Sequence, residues 1–555
     1  MRDRRILGLL LAGGLAVSSL LVATMPALAA SYTPISGEGS SWAANAIQDW
    51  AADVHNKGLV VNFAPTGSVA GLTGFSNGTD DFAASDVPFG VSSGGQQVTP
   101  PAPAGRPYAY VPDVAGGTAL MYNLTVQGQR YTNLKLSGPT IAGIFSGKIT
   151  TWNAPQIKAD NPAIASILPG TRVTPVVRAD GSGSTAQFSL WMSKRFGNVW
   201  TCGQVSLFTQ CSFYDPTVEQ AKSGDNGVAG FVQQAGNDGS IGYVEYSYAL
   251  QSGFPVAKVL NASGFYVLPT SSNVAVALLK AVIDTTPGVN YLTQQLDGVY
   301  SDTDPRAYPI SSYSYFVVPT SNFDSNKGYT LGAFAQYALC QGQQKAPALG
   351  YSPLPINLVQ GGLDQVKKIP GAAVANVNIQ SCNNPTFSAS GVNTLAINAL
   401  YPDLCDKQTA KPACVYGTPS QGKVSSSSNG QGDANSVGAH TSSTGTSAGT
   451  GTTSTTGGTT TGVPGIGGTI GTGTGTGTGT GSGGGGGAVS LLNPDGQTTC
   501  DRDTGQCTKL SASPIAVPSS HSGFGAWVLW IVLAGLLLLI VVPPVVLLLG
   551  RRAAR

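Results

Sequence analysis

Charge is scarce in this sequence. Lysine, arginine, aspartate and glutamate make up only 10% of 555 residues and leave a net charge of +2. No basic stripe runs along the chain, which excludes nucleic acid as a partner. Histidine is scarcer still: His55, His440 and His521 are the only three, and none falls in the motifs described below. No Cys/His/Asp set has the spacing of metal ligands, and no serine or cysteine pattern marks an activated nucleophile. A protein that is not an enzyme, with no metal and no cofactor, is therefore expected. No cysteine precedes Cys202, which excludes a lipid at a mature N-terminus.

The two ends are organised for export and anchoring. Arg2, Arg4 and Arg5 lead into an apolar run from Ile6 to Ala23, followed by Pro26 and Ala27-Leu28-Ala29. This predicts a secretory signal peptide over residues 1–29. Residues 524–549 carry no charge, and Arg551, Arg552 and Arg555 follow them. At about 1.5 Å per residue a helix of that length exceeds the roughly 30 Å hydrocarbon core. Trp527 and Trp530 suit an outer aromatic belt, and the arginines obey the positive-inside rule. Residues 524–549 are expected to cross the cell membrane once, leaving 550–555 as a cytoplasmic tail and the body on the cell-wall side.

Between body and anchor the chain has almost no apolar side chains. Residues 421–487 are mostly Gly, Ser and Thr, including "GTGTGTGTGTGSGGGGG", and cannot offset the entropy of ordering. A disordered linker with an r.m.s. reach of about 45 Å is expected there, then a juxtamembrane segment at 488–523. Eight cysteines in an exported chain favour disulfides. Nearest-neighbour pairing gives Cys202–Cys211, Cys340–Cys382, Cys405–Cys414 and Cys500–Cys507. Sequence does not fix that connectivity, and zinc ligation is the alternative.

The body, residues 31–371, is long enough for two lobes with real cores. Trp42, Ala46, Trp50 and Val54 repeat every four residues, with Ala43 and Ile47 alongside, and predict a helix closed by Gly58. Strand-like "LVVNF" follows it, then the turn "APTGSVAGLTGF", then the short apolar strand "DDFAASDVPF". Further on, "VVRADGSGSTAQF" (from Val176) packs an arginine, a carboxylate, glycines and hydroxyls between a strand and a helix. It has no lysine for a phosphate-cradling P-loop and no glycines flanking a serine as in a nucleophile elbow. Its loose match to a dinucleotide fingerprint lacks the acidic residue about 20 positions on.

Three times, then, the chain enters a helix through Gly and Ser. Helix N-termini offer unpaired N–H groups and partial positive charge, and Arg178 offers a planar fork for two oxygens. Any one such serine is better explained as a helix cap. The three together with the arginine predict an oxyanion site.

These residues carry a family likeness. "GEGSSW", Gly67-Ser68, "DFAASD" and "RADGSGS" resemble the successive motifs of PstS-type phosphate-binding proteins, which serve bacterial phosphate ABC transporters. "LSGPTIAGIFSGKITTWN", "GSIGYVEYSYA", "YPISSYSYFVV" and "GYSPLP" follow in the family's order, to about Leu358. The resemblance implies an α/β, two-lobed periplasmic-binding-protein-like fold of type II, whose lobes exchange near residues 107–111 and 308–312. It implies inorganic phosphate as ligand and a permease complex as partner. The contacts it implies are the Ser41 hydroxyl, the Trp42 N–H, Ser68, Asp86 as acceptor, Arg178, Ser182, Gly183 and Ser184, with Asp180 bracing the guanidinium. Departures from the pattern are Glu38 for a small residue, Trp42 for phenylalanine, Val69-Ala70-Gly71 for a serine and paired glycines, and Ser184 for threonine. Residues 372–420, a cysteine-containing appendage, lie beyond the likeness. A surface-anchored oxyanion sensor or adhesin with no transport role is the alternative reading.

Overall fold

A computed structural model describes residues 32–410, apart from 375, 376 and 389, together with three short strands between residues 491 and 509. The signal peptide, the 421–487 linker, the 524–549 span and the cytoplasmic tail expected from the sequence lie outside the described residues. Among the described residues no helix is long and apolar enough to cross a membrane.

The chain divides into two units, Met1–Gly449 and Thr450–Arg555. In the second, Leu491–Leu492, Thr498–Cys500 and Cys507–Lys509 form an antiparallel sheet in which Cys500 and Cys507 are register partners.

The first unit opens with β1 (Ile35–Gly39), α1 (Ala44–His55), β2 (Val61–Ala64), α2 (Ser68–Asn77) and β3 (Phe82–Ser85). The expected stripe of Trp42, Ala43, Ala46, Ile47, Trp50 and Val54 is buried, each residue at most 1% exposed. Trp50 also donates its indole N–H to the carbonyl of Gly342 at 3.0 Å, so its polar edge goes into the core satisfied. Next comes β4 (Tyr108–Asn123), whose 16 residues are buried from Ala109 onward. The far lobe contains β5 (Thr174–Arg178), α3 (Gly183–Phe196), β6 (Gln220–Lys222), α4 (Gly224–Val232) and β7 (Ser240–Glu245). The chain then returns to the first lobe as β8 (Ser311–Pro319) and α5 (Ser325–Leu339).

One continuous sheet runs through both lobes in the order β6-β5-β7-β4-β8-β3-β1-β2. Its central strand β4 changes partner partway along. Residues Tyr108 to Gly117 pair antiparallel with β8, and Thr118 to Asn123 pair antiparallel with β7. The first exchange between lobes therefore falls at Gly117–Thr118. It does not fall at 107–111, where the motif likeness put it and where β4 merely begins. The reason is steric. A Cβ on Gly116 would come within 2.7 Å of the Trp42 ring, and one on Gly117 within 2.6 Å of Pro269, so only glycine lets the lobes meet at this point. The return passes through Tyr308, whose hydroxyl donates to the carbonyl of Thr118 at 2.8 Å.

Beyond the sheet, the appendage becomes intelligible. The disulfide Cys340–Cys382 ties its near end to the end of α5 in the first lobe. Asn384 and Thr386 then donate to the carbonyl of Leu354, each at 2.9 Å. Farther along, Arg306 donates to the carbonyls of Ala396 and Ala399. The far end is held by the other lobe: Asp406 accepts from Lys135 at 3.0 Å and from Lys258 at 2.7 Å. The segment is a strap laid from one lobe to the other. The expected Cys202–Cys211 bridge is also formed, and Cys405 is disulfide-bonded.

Lys135 and Asp406 have side chains only 5% and 8% exposed. Removing one partner of a buried pair leaves the other charge stranded, which costs about 3–5 kcal/mol. Asp406→Asn should therefore lower the unfolding free energy by about that amount in urea titration. An unchanged midpoint would mean the strap's far end is not fastened by this pair.

Candidate functional site

Four helices begin where the lobes meet. Helix α1 follows Ser40-Ser41, α2 starts at Ser68, α3 at Gly183 and α4 at Gly224. Gly67 has φ +102 and Gly224 has φ +68, conformations that favour glycine at two of these entries. Ser182 caps α3 by accepting from the N–H of Thr185 at 3.1 Å. The effect is to bring the positive ends of four helix dipoles together in one small volume.

Arg178, the last residue of β5, stands at its centre and is 1% exposed. Its Nε donates to Asp180 Oδ1 at 2.8 Å, and its Nη2 pairs with Asp180 Oδ2, giving a two-pronged contact on the outer edge. On the inner edge Nη1 donates to Asp225 Oδ2 at 2.5 Å and to Ser184 Oγ at 3.1 Å. Burial opposes the guanidinium's charge, but Asp225 and Asp180 outweigh it and hold Arg178 charged. The same balance, burial against the hydrogen bond and charge of Arg178, leaves the carboxyl of Asp180 below its ordinary value.

A third carboxylate faces this group from the other lobe. Asp86, 2% exposed, accepts from Ser40 Oγ at 2.7 Å and from Ser68 Oγ at 3.3 Å. Burial pushes its carboxyl up to about 6, with the Ser40 and Ser314 hydroxyls working against that and the charge of Asp225 adding to it. Gly183 lies so near that a Cβ there would sit 2.5 Å from Ser68 Oγ and 2.7 Å from Asp86 Oδ2. The lobes touch directly across the cleft: Val69 N–H donates to Gly181 O at 3.0 Å, and Gln187 Nε2 to Asp86 O at 2.8 Å.

The structure thus gathers Ser41, Ser68, Asp86, Arg178, Asp180, Ser182, Gly183 and Ser184 around one point, though the segments are far apart in sequence. Ser182 and Ser184 share a hydrogen bond of 2.7 Å beside the guanidinium. Trp42 is buried at the entrance to α1, and its carbonyl accepts from Tyr351 at 2.6 Å. Glu38 is engaged elsewhere: it accepts from Thr66 Oγ1 at 3.0 Å and lies beside Asp80.

Two members went unnoticed in the sequence. Ser40, not Ser41, is the hydroxyl of the first loop that reaches Asp86. Ser41 reaches across to Asp225 Oδ2 at 2.6 Å. Asp225 itself, wholly buried in the first turn of α4, was the larger omission. The signal was available in "KSGDNGVAGFV", a fourth run in which Ser and Gly open a helix.

A family model described as a PBP superfamily domain matches residues 24–341. Phosphate-binding protein PstS of Xylella fastidiosa is 32% identical over 332 residues, spanning 59% of this chain and 83% of that protein. The chain belongs to the PstS-type phosphate-binding proteins of this superfamily. Phosphate-binding protein PstS 2 of Mycobacterium tuberculosis is 33% identical over 299 residues, 54% of this chain and 76% of that one. A solved phosphate binding protein from Stenotrophomonas maltophilia aligns at 19% identity with a TM-score of 0.44, covering 65% of this chain and 99% of that one.

In this PstS-type cleft a proton-linked stability change follows from Asp86. Its folded-state pKa of about 6 lies above the ordinary value of 3.8. Its contribution to stability is therefore complete below about pH 3.8 and is lost as the pH rises through about 6. Asp86→Asn should flatten the fall in melting temperature between about pH 4 and pH 7. An unchanged slope in the variant would show that Asp86 ionises at its ordinary value.

Proposed function

We propose that this chain binds inorganic phosphate in the cleft between its lobes, outside the cytoplasm, as the substrate-binding component of a phosphate ABC importer. The observation that carries the reading is the convergence of Arg178, four helix N-termini and the acceptor Asp86 on one buried point. The guanidinium and the serine hydroxyls of the cleft supply donors to anion oxygens. Asp86 supplies what a generic anion site lacks, an acceptor that asks the ligand for a hydroxyl. The PstS membership supports the same ligand class, and it does not favour a sensor or adhesin with no transport role. Ser41, Ser68, Arg178, Ser182, Gly183 and Ser184 are proposed as donors, with Trp42 N–H among them and Asp180 as brace. The remaining features of the reading, a signal peptide at 1–29, a flexible stalk at 421–487 and an anchor at 524–549, rest on the sequence. They would hold the cleft within reach of a permease in the same membrane.

At neutral pH phosphate keeps at least one O–H, whereas sulfate has none and can only accept. Sulfate would set lone pairs against Asp86, and a site built around such a polar group rejects the wrong analogue by roughly 10⁴-fold. Competition titration of the purified full chain should show phosphate binding that sulfate barely displaces, even in large excess. Arg178→Ala should weaken phosphate strongly. Asp86→Asn should weaken it and narrow the gap to sulfate, because an amide donates to either anion. Equal affinity for the two anions in the wild type would remove Asp86 from its role.

A further inference from the structure

We propose that Asp113 is a positioning residue of the anion site: buried in a bulge of β4, it keeps its proton and passes a hydrogen bond through Ser314 to Asp86. Asp86 is thereby held ready as the acceptor of a phosphate hydroxyl. This rests on the phosphate reading above and adds a residue that neither the motif likeness nor the comparisons assign.

The bulge follows from the register of the central strands. Tyr315 of β8 pairs with Pro112 of β4, and Tyr313 pairs with Ala115. Asp113 and Val114 therefore share the space opposite Ser314 alone. An extra residue of this kind disrupts the ladder locally and re-aims a side chain. Here Asp113 Oδ1 accepts the N–H of Val114 at 2.5 Å. Gln343 donates to the Asp113 carbonyl at 2.8 Å and fixes the bulge from the turn after α5. On its other edge β8 pairs Tyr315 with Ser85 of β3, the residue before Asp86. Asp113, Ser314 and Asp86 thus follow one another across β4, β8 and the end of β3.

Asp113 is wholly buried, and its Oδ2 has no hydrogen-bond partner among the described residues. The charge acting on it is that of Asp86, of like sign, and the phenol of Tyr315 adjoins it. Burial, with Asp86 adding to it, raises the Asp113 carboxyl well above its ordinary range, against the pull of the Val114 N–H and Ser314. A buried carboxyl with no cation beside it neutralises by keeping its proton. Oδ2 then becomes an O–H donor, where an ionised Asp113 has only lone pairs to offer.

Ser314 is where that donor leads. Its hydroxyl acts on both carboxyls, lowering each, and its contact with the carbonyl of Ser85 is long at 3.3 Å. A hydroxyl has one proton to give. An ionised Asp113 would compete for that proton and repel Asp86. The protonated acid instead donates to Ser314 Oγ and leaves the serine proton for Asp86. Around Asp86 stand Ser40 from the loop before α1, Ser68 at the start of α2, Ser314 from β8, Arg178 from β5 and Asp225 from α4, with the phenol of Tyr248 near. Burial raises its carboxyl to about 6, and the Ser40 and Ser314 hydrogen bonds with the charge of Arg178 keep it from rising farther. The chain of donors ends on the carboxylate that has to stay ionised to accept from phosphate.

Infrared difference spectra of the full chain and titration calorimetry with inorganic phosphate test this. At neutral pH the wild type should show a protonated-carboxyl band that Asp113→Asn lacks. Phosphate affinity should fall as the pH drops through the midpoint of Asp86. Ser314→Ala should move that fall upward by about one pH unit, a loss of about tenfold near pH 6, because the ionised form loses a hydrogen bond. Asp113→Leu should move it the same way by less. Asp113→Asn, whose amide still donates to Ser314, should keep the wild-type profile. A purely structural role would lower affinity equally at every pH and would not be rescued by asparagine. A missing band, an unmoved profile in Ser314→Ala or tighter phosphate binding in Asp113→Asn overturns the proposal while leaving the phosphate reading intact. If Asp113→Leu fails to fold, the other two variants decide. Absence of phosphate binding in the wild type at every pH removes the phosphate reading itself, and this proposal with it.

Discussion

A guanidinium taken out of water has to be matched on nearly all of its N–H groups, and Arg178 is matched by Asp180, Asp225 and Ser184. Much of the cleft follows from that requirement. Asp180 keeps the fork planar and aimed, with the N–H of Gly224 also donating to its Oδ1 at 2.9 Å. Asp225 ties the fork to Ser41 of the opposite lobe, so the same ion pair that positions the arginine also draws the lobes together. Removing any one of these groups strands a buried charge, which is why this corner of the molecule behaves as a unit and not as a set of separate contacts.

The lobes have a second constraint. A strand that serves two lobes in succession needs a place where its side chains vanish, and Gly116-Gly117 provide it between Trp42 and Pro269. Relative movement of the lobes has to pass through that point and through the return at Tyr308. The strap adds a restraint outside the sheet, with Cys340–Cys382 at one end and Asp406 between two lysines at the other. Its two fastenings are different in kind. The first is covalent and insensitive to salt; the second is an ion pair whose strength comes from exclusion of water.

Legibility in the sequence followed the range of the forces involved. The α1 stripe, the strand-to-helix turns and the apolar runs of β3 and β5 were readable because periodicity and capping act over a few residues. The Cys202–Cys211 bridge closes a short loop and was equally visible, and Cys340–Cys382 followed from simple neighbourhood. Ser41, Ser68, Asp86, Arg178 and the Ser182–Ser184 turn could be singled out because each stands in a local motif whose likeness carries across a family. The exchange point was misplaced because strand β4 is mostly apolar and buried along its length: nothing in its own pattern says where its neighbour changes, only the closeness of Trp42 and Pro269 does.

By itself, then, the sequence determined the α/β class, the entry of helices through Gly and Ser, the arginine with its bracing aspartate and the acceptor Asp86. Tertiary structure alone decided that Asp225 lies against Arg178, that Ser40 and Ser41 serve different carboxylates, and that residues after Cys340 run from one lobe to the other. The physical reason is sequence separation. Ser41 and Asp225 are 184 positions apart, and Lys258 and Asp406 are 148 apart. A carboxylate among helix-opening residues looks in sequence like a cap or a solvated charge; burial against a particular guanidinium is a property of the packed fold.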